Sequence, residues 1–587
     1  MSAAALETPV SKPLPPSRLW LKAMELTARI EAQPKRLFAD VISEWAAKTP
    51  DAPALLMQGH ALNYAAAFAL INKYARWALA QGVKPGDRVA LIVPTCPDYV
   101  AAWAGITMVG GIVALVNTQL TGDSLAHALR VADAAHIIVS SALAETLPET
   151  KAKIWVMGGN LDAALASLSS EPLRADERPV VSVKDAALLI YTSGTTGLPK
   201  AAHVSHHRIM SWGHWFAGLM NASPEDRLYN CLPIHHSVGG VVAIASMMVA
   251  GGSVVLAEKF SARRFWADIV KWDCTVFQYI GELCRYLLKA PPADESRQHR
   301  LRLACGNGLR GDVWEEFQQR FAIPQILEFY AATEGNFSLF NVEGKVGSIG
   351  RNPPFIAHRF PATIVKFDTD AGKPLRGEDG LCIAAERGEA GEALGRISGS
   401  GGGRFEGYTS KDETERKILR DVLEQGDAWF RTGDLMRMDD KGFYYFVDRI
   451  GDTFRWKGEN VATAEVASVI AALPGVADVN VYGVNVPGAD GRAGMAAIVR
   501  EAGFDPNLVF AKVTEALPVY ARPLFLRLRS GMDLTETFKQ KKTVLVKDGF
   551  NPSEENDPVL ILDAAAKTYV PLTPERLAEI NSGLAQL

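Results

Sequence analysis

From residue 261 to residue 330, the apolar positions alternate between the spacing of a helix and the spacing of a strand. In order, they predict a helix capped by Ser261, a strand at 274–280, a helix through Leu283, Tyr286 and Leu287, a strand at 301–305, a helix at 313–321 and a strand at 325–330. This alternation, with short connections, is typical of a parallel sheet covered by helices on both faces. We therefore predict an α/β fold with ligands bound beyond the carboxyl ends of the strands.

Two long apolar runs, 98–116 and 238–257, have the length of membrane spans. Each is divided by a Gly-Gly pair into a helix-length piece and a short β-branched run. This division is typical of a buried helix followed by a buried strand, and we predict that structure for both runs.

The pattern changes near residue 450, where segments become shorter and mixed. Strands at 477–484, 493–500 and 524–529 and a helix at about 507–517 predict a smaller α+β domain. A chain of 587 residues also exceeds one compact core. We predict a flexible or peripheral segment at 1–40, a large domain of doubly wound sheets at 41–450, and a small mobile domain at 451–587.

Composition narrows the class of protein. The formal charge is −4, with no basic block, which argues against nucleic acid as a main partner. The six cysteines show no metal-ligand spacing and predict reduced, mostly buried thiols in a cytoplasmic protein. Residues 18–30, with Trp20, Met24 and Leu26 among basic residues, have two interpretations. They form a helix packed on the large domain, or a peripheral contact with the inner face of a membrane.

Residues 191–200, YTSGTTGLPK, follow the apolar run 186–190. The segment differs from a Walker loop because Pro199 replaces the second glycine and Ala201 follows Lys200. Its hydroxyls, glycines and lysine still suit a polyphosphate, whereas a flexible surface linker rarely follows a buried strand directly. The candidate phosphate-binding residues are Thr192, Ser193, Gly194, Thr195, Thr196, Gly197 and Lys200.

Two further polar segments follow predicted strands. They are residues 306–308, Gly-Asn-Gly, and residues 331–335, AATEG. Together with the threonine-rich loop, they predict one glycine-lined site at one edge of one sheet.

In this order and at these separations, YTSGTTGLPK, FYAATEG, RTGD and DRIGDTFRWKGEN resemble the adenylate-forming superfamily of acyl-CoA synthetases, adenylation domains and luciferases. The resemblance covers roughly residues 45–587. The segments GNGLR, TFRWKGENVAT and VPGADGRAGMAA are similar to its fatty-acid-transport-protein and very-long-chain acyl-CoA synthetase branch. The resemblance implies activation of a fatty acid with ATP and Mg²⁺ to an acyl-adenylate, followed by thioester formation with coenzyme A.

The resemblance also implies roles for individual residues. The phosphate loop and Lys200 would hold the β- and γ-phosphates, Glu334 with Thr192 would hold Mg²⁺, and Lys539 would be the catalytic lysine. Other nucleotide contacts would be Gly306, Asn307 and Tyr330 at adenine, Thr333 at the α-phosphate, Asp434 at the ribose and Arg449 at a phosphate or ribose oxygen. The resemblance also places three residues in the acyl pocket, namely His236, Trp212 and Trp215. It places Gly458 and Trp456 on the coenzyme A path and the hinge at Gly451.

Several alternatives stay open at the level of sequence. Asp434 and Arg449 could form only a surface ion pair, and Lys541 and Lys542 are candidates for surface lysines. Ala331 and Glu536 stand where relatives have glycine, so a positive φ at Ala331 would carry strain. The substrate could be a bile-acid-like or other bulky carboxylate. The protein could serve fatty-acid uptake, form a homodimer, or make an acyl-adenylate without using coenzyme A.

Overall fold

The computed structural model describes residues 14–193, 199–369, 371–398, 404–457, 459–489, 491–533, 542–552 and 557–583. The chain divides into two compact units. The first comprises Met1–Gly350 with Arg404–Lys417, and the second comprises Arg351–Gly403 with Ile418–Leu587. The predicted boundary near residue 450 lies inside the second unit, so a hinge at Gly451 stays a prediction.

The elements of the first unit alternate along the chain. Its helices are α1 (Pro16–Ala32), α2 (Phe38–Lys48), α3 (Tyr64–Ala80), α4 (Pro97–Met108), α5 (Gly122–Ala132), α6 (Asn160–Ala166), α7 (His206–Leu219), α8 (Ala243–Ala250), α9 (Phe265–Lys271), α10 (Gly281–Lys289), α11 (Gly311–Phe321) and α12 (Lys411–Glu415). Its strands are β1 (Pro53–Met57), β2 (His60–Asn63), β3 (Arg88–Ile92), β4 (Ile112–Leu115), β5 (His136–Ser140), β6 (Lys153–Met157), β7 (Ala186–Ser193), β8 (Pro199–Ser205), β9 (Arg227–Asn230), β10 (Ser253–Leu256), β11 (Val276–Ile280), β12 (Leu303–Asn307), β13 (Ile326–Ala331) and β14 (Ser338–Asn341).

One sheet of the first unit has the order β14-β13-β12-β11-β9-β10-β1-β2. Strands β9, β11, β12 and β13 run parallel, which confirms the predicted parallel sheet. The predicted helix cap at Ser261 is wrong, because α9 begins at Phe265 with Arg264 in the capping position. The amides of Arg264 and Phe265 both bond to the carbonyl of Ser261, so the chain makes a turn before the helix starts.

A second sheet of this unit has the order β6-β5-β3-β4-β7-β8. The apolar run 186–190 lies in β7, which is parallel to β4 and forms a hairpin with β8. The prediction that all three polar segments follow strands of one sheet is therefore wrong. The threonine-rich segment belongs to this sheet, whereas 306–308 and 331–335 belong to the other. Local pattern identifies a buried strand but carries no information about its pairing partner.

Both long apolar runs have the predicted helix-then-strand structure. Residues 98–116 contain α4 and β4, and residues 238–257 contain part of a π-helix, Ser237–Val242, followed by α8 and β10. Within the described ranges, no helix combines the length and the apolar character needed to cross a bilayer.

Helix α1 packs directly on α7. A Cβ at Gly218 would lie 2.4 Å from the Cα of Ala23, so the two helices touch along their backbones. Trp20 is buried, with its ring centroid 5.9 Å from that of Trp215. The packed-helix interpretation of residues 18–30 is confirmed, because the tryptophan that would contact a membrane lies in the core.

The second unit contains mixed sheets. Its strands are β15 (Ala362–Val365), β16 (Phe367–Asp368), β17 (Lys373–Pro374), β18 (Gly391–Arg396), β19 (Ile418–Arg420), β20 (Ala428–Met438), β21 (Tyr444–Arg449), β22 (Phe454–Trp456), β23 (Glu459–Val461), β24 (Val476–Asn485), β25 (Arg492–Arg500), β26 (Phe525–Arg529), β27 (Val559–Asp563) and β28 (Thr568–Pro571). Its helices are α13 (Thr463–Ala471), α14 (Pro506–Ala516), α15 (Thr543–Asp548) and α16 (Pro574–Asn581). Strands β24 to β28 form one sheet in chain order, and the predicted strands and helix between 477 and 529 are confirmed.

Candidate active site

Tyr408 connects the ends of the two sheets of the first unit. Its backbone bridges to Ala202 of β8, and its hydroxyl donates a 2.7 Å hydrogen bond to Oε1 of Glu334, just after β13. The side chain of Thr192, near the end of β7, lies beside the same phenol and acts to lower its pKa. Burial first, and then the Glu334 carboxylate, raise the pKa of Tyr408 well above its usual value, so the phenol remains a proton donor. Two predicted site residues from different sheets thus meet at one hydroxyl.

Charged residues of segment 404–417 also contact this region. Lys200, the predicted phosphate ligand, forms an ion pair with Glu413. Nζ of Lys417 lies 3.8 Å from Oε1 of Glu334, so the acid has a cation nearby as well as the phenol. These contacts give the region two lysines and two carboxylates, a set that can exchange partners when a polyanion binds.

Arg208, on the first turn of α7, fixes the backbone at Thr333. Its Nη1 donates a 2.6 Å hydrogen bond to the carbonyl of Thr333, and its Nε lies 3.8 Å from Glu406. The hydroxyl of Thr333 lies 2.9 Å from that of Ser237, at the start of the π-helix. Thr333 is therefore oriented by both its carbonyl and its hydroxyl.

The turn after β12 has two glycines that the local backbone requires. A Cβ at Gly306 would lie 2.2 Å from the carbonyl oxygen of Tyr279, and Gly308 has a φ of +82°, so both positions require glycine. Oδ1 of Asn307 is buried and has no hydrogen-bond partner among the described residues. An unpaired buried acceptor suits a ligand that brings its own N–H group, such as the exocyclic amine of adenine.

Glu328 holds this turn from inside the sheet. Its Oε1 accepts hydrogen bonds from the backbone amides of Gly308 at 2.5 Å and Leu309 at 3.1 Å, and its Oε2 accepts one from Tyr279. Complete burial raises the pKa of Glu328 to about 8, against the opposing effect of these donors. The carboxyl therefore titrates near neutral pH while fixing the predicted adenine turn.

Tyr330 and Ala331 end β13 beside this turn. The half-buried ring of Tyr330 makes an edge-on contact with Phe337, with 5.5 Å between centroids. Ala331 pairs with Ser338 in the extended conformation of a strand and does not have a positive φ. The strain considered for alanine at this position is therefore absent.

The three residues predicted for the acyl pocket lie on or near α7. Trp215 is buried against Trp20 and Phe340, with centroids 5.9 and 5.6 Å away, which is the packing of a core residue. Trp212 is half-buried, with the guanidinium of Arg208 5.7 Å from its ring. His236 immediately precedes the π-helix, a feature often found at functional sites. A role in binding the acyl chain stays a prediction for all three.

Asp434 and Arg449 face each other across strands β20 and β21 of the second unit. Oδ1 of Asp434 lies 3.7 Å from Nε of Arg449, and the side chains are 12% and 50% exposed, respectively. The ion pair considered from the sequence exists, and most of the aspartate is buried. The predicted ribose contact is not tested by this geometry.

Lys542 is paired beside the predicted hinge. Its Nζ lies 3.0 Å from Oδ2 of Asp452 and donates a 3.0 Å hydrogen bond to Thr463. The surface candidate Lys542 is therefore partly buried and ion-paired. At Gly451 a Cβ would meet no atom within 4 Å, so packing does not explain the glycine there.

Some predicted residues lie outside the described part of the chain. They are Gly194, Thr195, Thr196, Gly197, Gly458, Lys539 and Lys541, together with the side chain of Ser193. Trp456 is described, and it is buried at the end of β22. No group of three or more acidic, histidine or cysteine side chains among the described residues is arranged to hold a metal ion.

Sequence reasoning missed Tyr408, Arg208, Glu406, Glu413 and Glu328. Four of these belong to contacts that join distant segments, and nothing in their local spacing marks them. Glu328 does carry a signal, because it is a carboxylate inside the apolar strand segment ILEFY, where an unpaired charge is costly.

Comparison with protein families gives two matches in the chain. The family model for AMP-binding enzymes matches residues 42–403, and the model for the AMP-binding enzyme C-terminal domain matches residues 465–539.

Curated relatives match most of the chain. Long-chain fatty acid transport protein 1 of Mus musculus is 44% identical over 524 residues, which is 86% of this chain and 80% of that protein. Long-chain fatty acid transport protein 2 of Rattus norvegicus is 39% identical over 573 residues, covering 94% and 92% of the two chains.

Solved structures share the fold. ATP-bound MatB from Rhodopseudomonas palustris has a TM-score of 0.74 at 24% identity, covering 87% of this chain and 98% of that one. A Mycobacterium tuberculosis fatty acyl CoA synthetase has a TM-score of 0.61 at 23% identity, with the same coverage. These likenesses agree with the predicted α/β class.

Proposed function

Because the chain belongs to the AMP-binding enzyme family, and within it to the branch of the long-chain fatty acid transport proteins, we propose that it activates long- or very-long-chain fatty acids to their coenzyme A thioesters. It is an AMP-forming acid–thiol ligase that uses ATP. The observation that carries the proposal is the meeting of Thr192 and Glu334 at Tyr408, which joins the phosphate-loop strand to the acidic AATEG segment.

In the first half-reaction, a carboxylate oxygen of the fatty acid attacks the α-phosphorus of ATP. The bond from that phosphorus to the bridging oxygen breaks, and pyrophosphate leaves with the electron pair. The barrier arises mainly from charge and positioning, which fixed cations and donors lower. We assign Thr192, Lys200 and the loop between them to the β- and γ-phosphates, and Thr333 to the α-phosphate. Lys539 stabilises the charge that develops at the reacting oxygens.

The adenosine part of ATP fits the turn held by Glu328. We assign the backbone at Gly306 to the base, while Asn307 offers its unpaired acceptor and Tyr330 provides an aromatic face. In the second unit, we assign Asp434 to the ribose hydroxyls, because one carboxylate can accept two hydrogen bonds.

The donors around Tyr408 fit Mg²⁺ as the metal that accompanies ATP. Mg²⁺ is commonly held by one or two carboxylates together with substrate phosphates and water, rather than by a protein cage. Glu334 supplies the carboxylate and Thr192 a hydroxyl. The metal would neutralise phosphate charge, while Tyr408 holds Glu334 in place.

In the second half-reaction, the thiolate of coenzyme A attacks the acyl carbon, and the bond to the AMP oxygen breaks. The thioester and AMP are the products. We assign Gly458 and Trp456 to the coenzyme A path and Gly451 to the hinge that separates the two half-reactions.

The preference for a long acyl chain rests on the names of the relatives. Uptake of fatty acid by trapping it as a coenzyme A ester is compatible with the same activity. Bile-acid-like acids are the competing substrate class.

The proposal is tested by separating the two half-reactions. With ATP, Mg²⁺ and palmitate, the protein should release pyrophosphate and hold palmitoyl-AMP. Added coenzyme A should then yield palmitoyl-CoA and AMP in equal amounts. Acyl-adenylate that does not react with coenzyme A would instead identify an adenylating ligase of a different kind.

A further inference from the structure

A cavity of about 680 Å³ lies on the first unit, away from the residues assigned to ATP. Its lining comes from helices α1, α2, α7 and α8 and from the connection 33–36. Its volume is within the range of small-molecule sites. Helix α1 lies upstream of residues 42–403, so one wall of the cavity lies outside the part of the chain that matches the family model.

The cavity combines an apolar floor with an excess of positive charge. The apolar lining is Leu26, Ile30, Pro34, Ala217, Ala222, Val249 and Ala250, and the charged lining is Lys22, Arg29, Lys35, Arg36 and Glu44. Nε and Nη2 of Arg36 donate hydrogen bonds of 2.7 and 2.6 Å to the two carboxylate oxygens of Glu44, so the charges of this pair cancel. The other three cations leave the cavity positively charged.

The ammonium group of Lys22 is one of these three cations, and its hydrogen-bond partner is uncharged. Its Nζ donates a 2.7 Å hydrogen bond to the neutral Oδ1 of Asn221, and its side chain is partly buried. Burial, together with the nearby Arg302, lowers the pKa of Lys22 even though Asp226 acts in the opposite direction. A bound anion would offset this cost. Arg29 and Lys35 are exposed at the rim of the cavity, where their charged groups can reach a ligand.

The cavity is on a different face of α7 from the predicted acyl pocket. Successive helix residues are separated by about 100°, so His214 and Ala217 lie on one side of α7 while Trp212 and Trp215 lie towards the other. Trp215 packs on Phe340 of β14, whereas His214 and Ala217 line the cavity. His214 uses Nδ1 on the carbonyl of Met210, and burial lowers the pKa of its ring, so it adds no positive charge at neutral pH.

We propose that this cavity is a second ligand site, which binds an amphiphilic anion with its acid group at Lys22, Arg29 and Lys35 and its chain over the apolar floor. A free long-chain carboxylate and the head group of an anionic phospholipid share this chemistry. The inference goes beyond the proposed function and does not depend on it, because binding requires neither ATP nor ligation.

The test measures binding to the full-length protein without nucleotide. Palmitate is titrated by calorimetry, and vesicles of phosphatidylglycerol or phosphatidylcholine are tested by co-sedimentation. Arg29→Gln combined with Lys35→Gln removes two exposed cations of the rim. Lys84→Gln combined with Lys151→Gln is the matched control, because these exposed lysines of the same unit do not line the cavity. Ala250→Phe fills the apolar floor without changing charge.

If a free carboxylate is the ligand, the Arg29/Lys35 variant binds palmitate about tenfold more weakly at one class of sites. Ala250→Phe binds one equivalent of palmitate fewer than the parent. If a phospholipid is the source, the same variants lose binding to phosphatidylglycerol vesicles and palmitate binding does not change. In both cases the control variant behaves like the parent. The proposal is overturned if the variants bind both ligands as the parent does. It is also overturned if hexadecanol, which has no acid group, displaces palmitate from these sites as well as palmitate itself does. Failure of ligation would leave these results unaffected, so the two proposals fail separately.

Discussion

The hydroxyl of Tyr408 lies 2.7 Å from Oε1 of Glu334, although the two residues are separated by 74 positions in the chain. Because this hydroxyl donates its hydrogen bond to Glu334, removing it should loosen the acid that we assign to Mg²⁺. We predict that Tyr408→Phe lowers adenylation roughly 10- to 100-fold, the usual effect of losing a residue that orients a metal ligand. Steady-state pyrophosphate release at several Mg²⁺ concentrations measures this.

A matched control exists for that variant. Tyr445 donates a 3.1 Å hydrogen bond to Asp439 in the second unit, and neither residue is assigned a role in the reaction. Tyr445→Phe should leave pyrophosphate release unchanged. Equal losses in the two variants would mean that Tyr408 acts only on stability.

Glu334 itself should be more sensitive. Glu334→Ala should fold normally, which its melting temperature checks, but lose most Mg²⁺-dependent adenylation because phosphate charge is left poorly neutralised. The apparent Mg²⁺ requirement should rise in Glu334→Gln, which keeps the hydrogen-bond acceptor for Tyr408. Near-normal pyrophosphate release by Glu334→Ala would reject the metal role.

Glu328 predicts a pH effect on stability. Its pKa is raised from 4.5 to about 8, so the folded protein favours the protonated acid. Stability from this group is full below pH 4.5, falls as pH rises from 4.5 towards 8, and is constant above 8. Glu328→Gln mimics the protonated acid and lacks this loss. The melting temperature should therefore fall less between pH 6 and pH 9 in the variant than in the parent. An equal fall in both proteins would contradict the raised pKa of the buried Glu328.

Asp434 predicts discrimination among nucleotides. If its carboxylate accepts ribose hydroxyls, the parent should prefer ATP to 2′-deoxy-ATP by about tenfold or more in kcat/KM. Asp434→Ala should lower activity with ATP and abolish that preference. Only ATP has the 2′-hydroxyl, so only ATP loses a hydrogen bond to this carboxylate. A preference that survives the substitution would leave Asp434 as the partner of Arg449 alone.

The two half-reactions should be separable by substitution. Lys539→Ala should abolish acyl-adenylate formation but still convert pre-made acyl-adenylate and coenzyme A to thioester. Gly458→Leu should make acyl-adenylate and stall at thioester formation, because a side chain would block the thiol path. Gly451→Pro should resemble Gly458→Leu if it prevents the second half-reaction. Equal damage to both half-reactions in the first two variants would reject this assignment.

Local sequence patterns were sufficient for the elements that carry the site. The strands ending at Asn307 and Ala331 and the helix between them follow from apolar spacing, because each element buries one face. Pairing was not readable in the same way. The run 186–190 has the composition of a buried strand, but its parallel partner β4 begins 74 residues earlier, at Ile112.

The site was predictable where a motif concentrates its donors, and not where distant residues orient them. Thr192, Lys200 and Glu334 stand in short polar segments, so their chemistry is visible in sequence. Tyr408 acquires its role only through the backbone bridge to Ala202, which no spacing rule predicts. Likewise, composition indicated a surface position for Lys542 but could not identify Asp452 as its partner.

The most direct test of the central claim is ATP-dependent coenzyme A ligation across butyrate, octanoate, palmitate, lignocerate and cholate, measured as kcat/KM with AMP and acyl-CoA quantified together. A long- or very-long-chain fatty acyl-CoA synthetase should give its highest values with palmitate or lignocerate and low values with butyrate and cholate. Its AMP and acyl-CoA should appear in equal amounts. Highest activity with cholate or butyrate, or no thioester from any acid, would contradict the account.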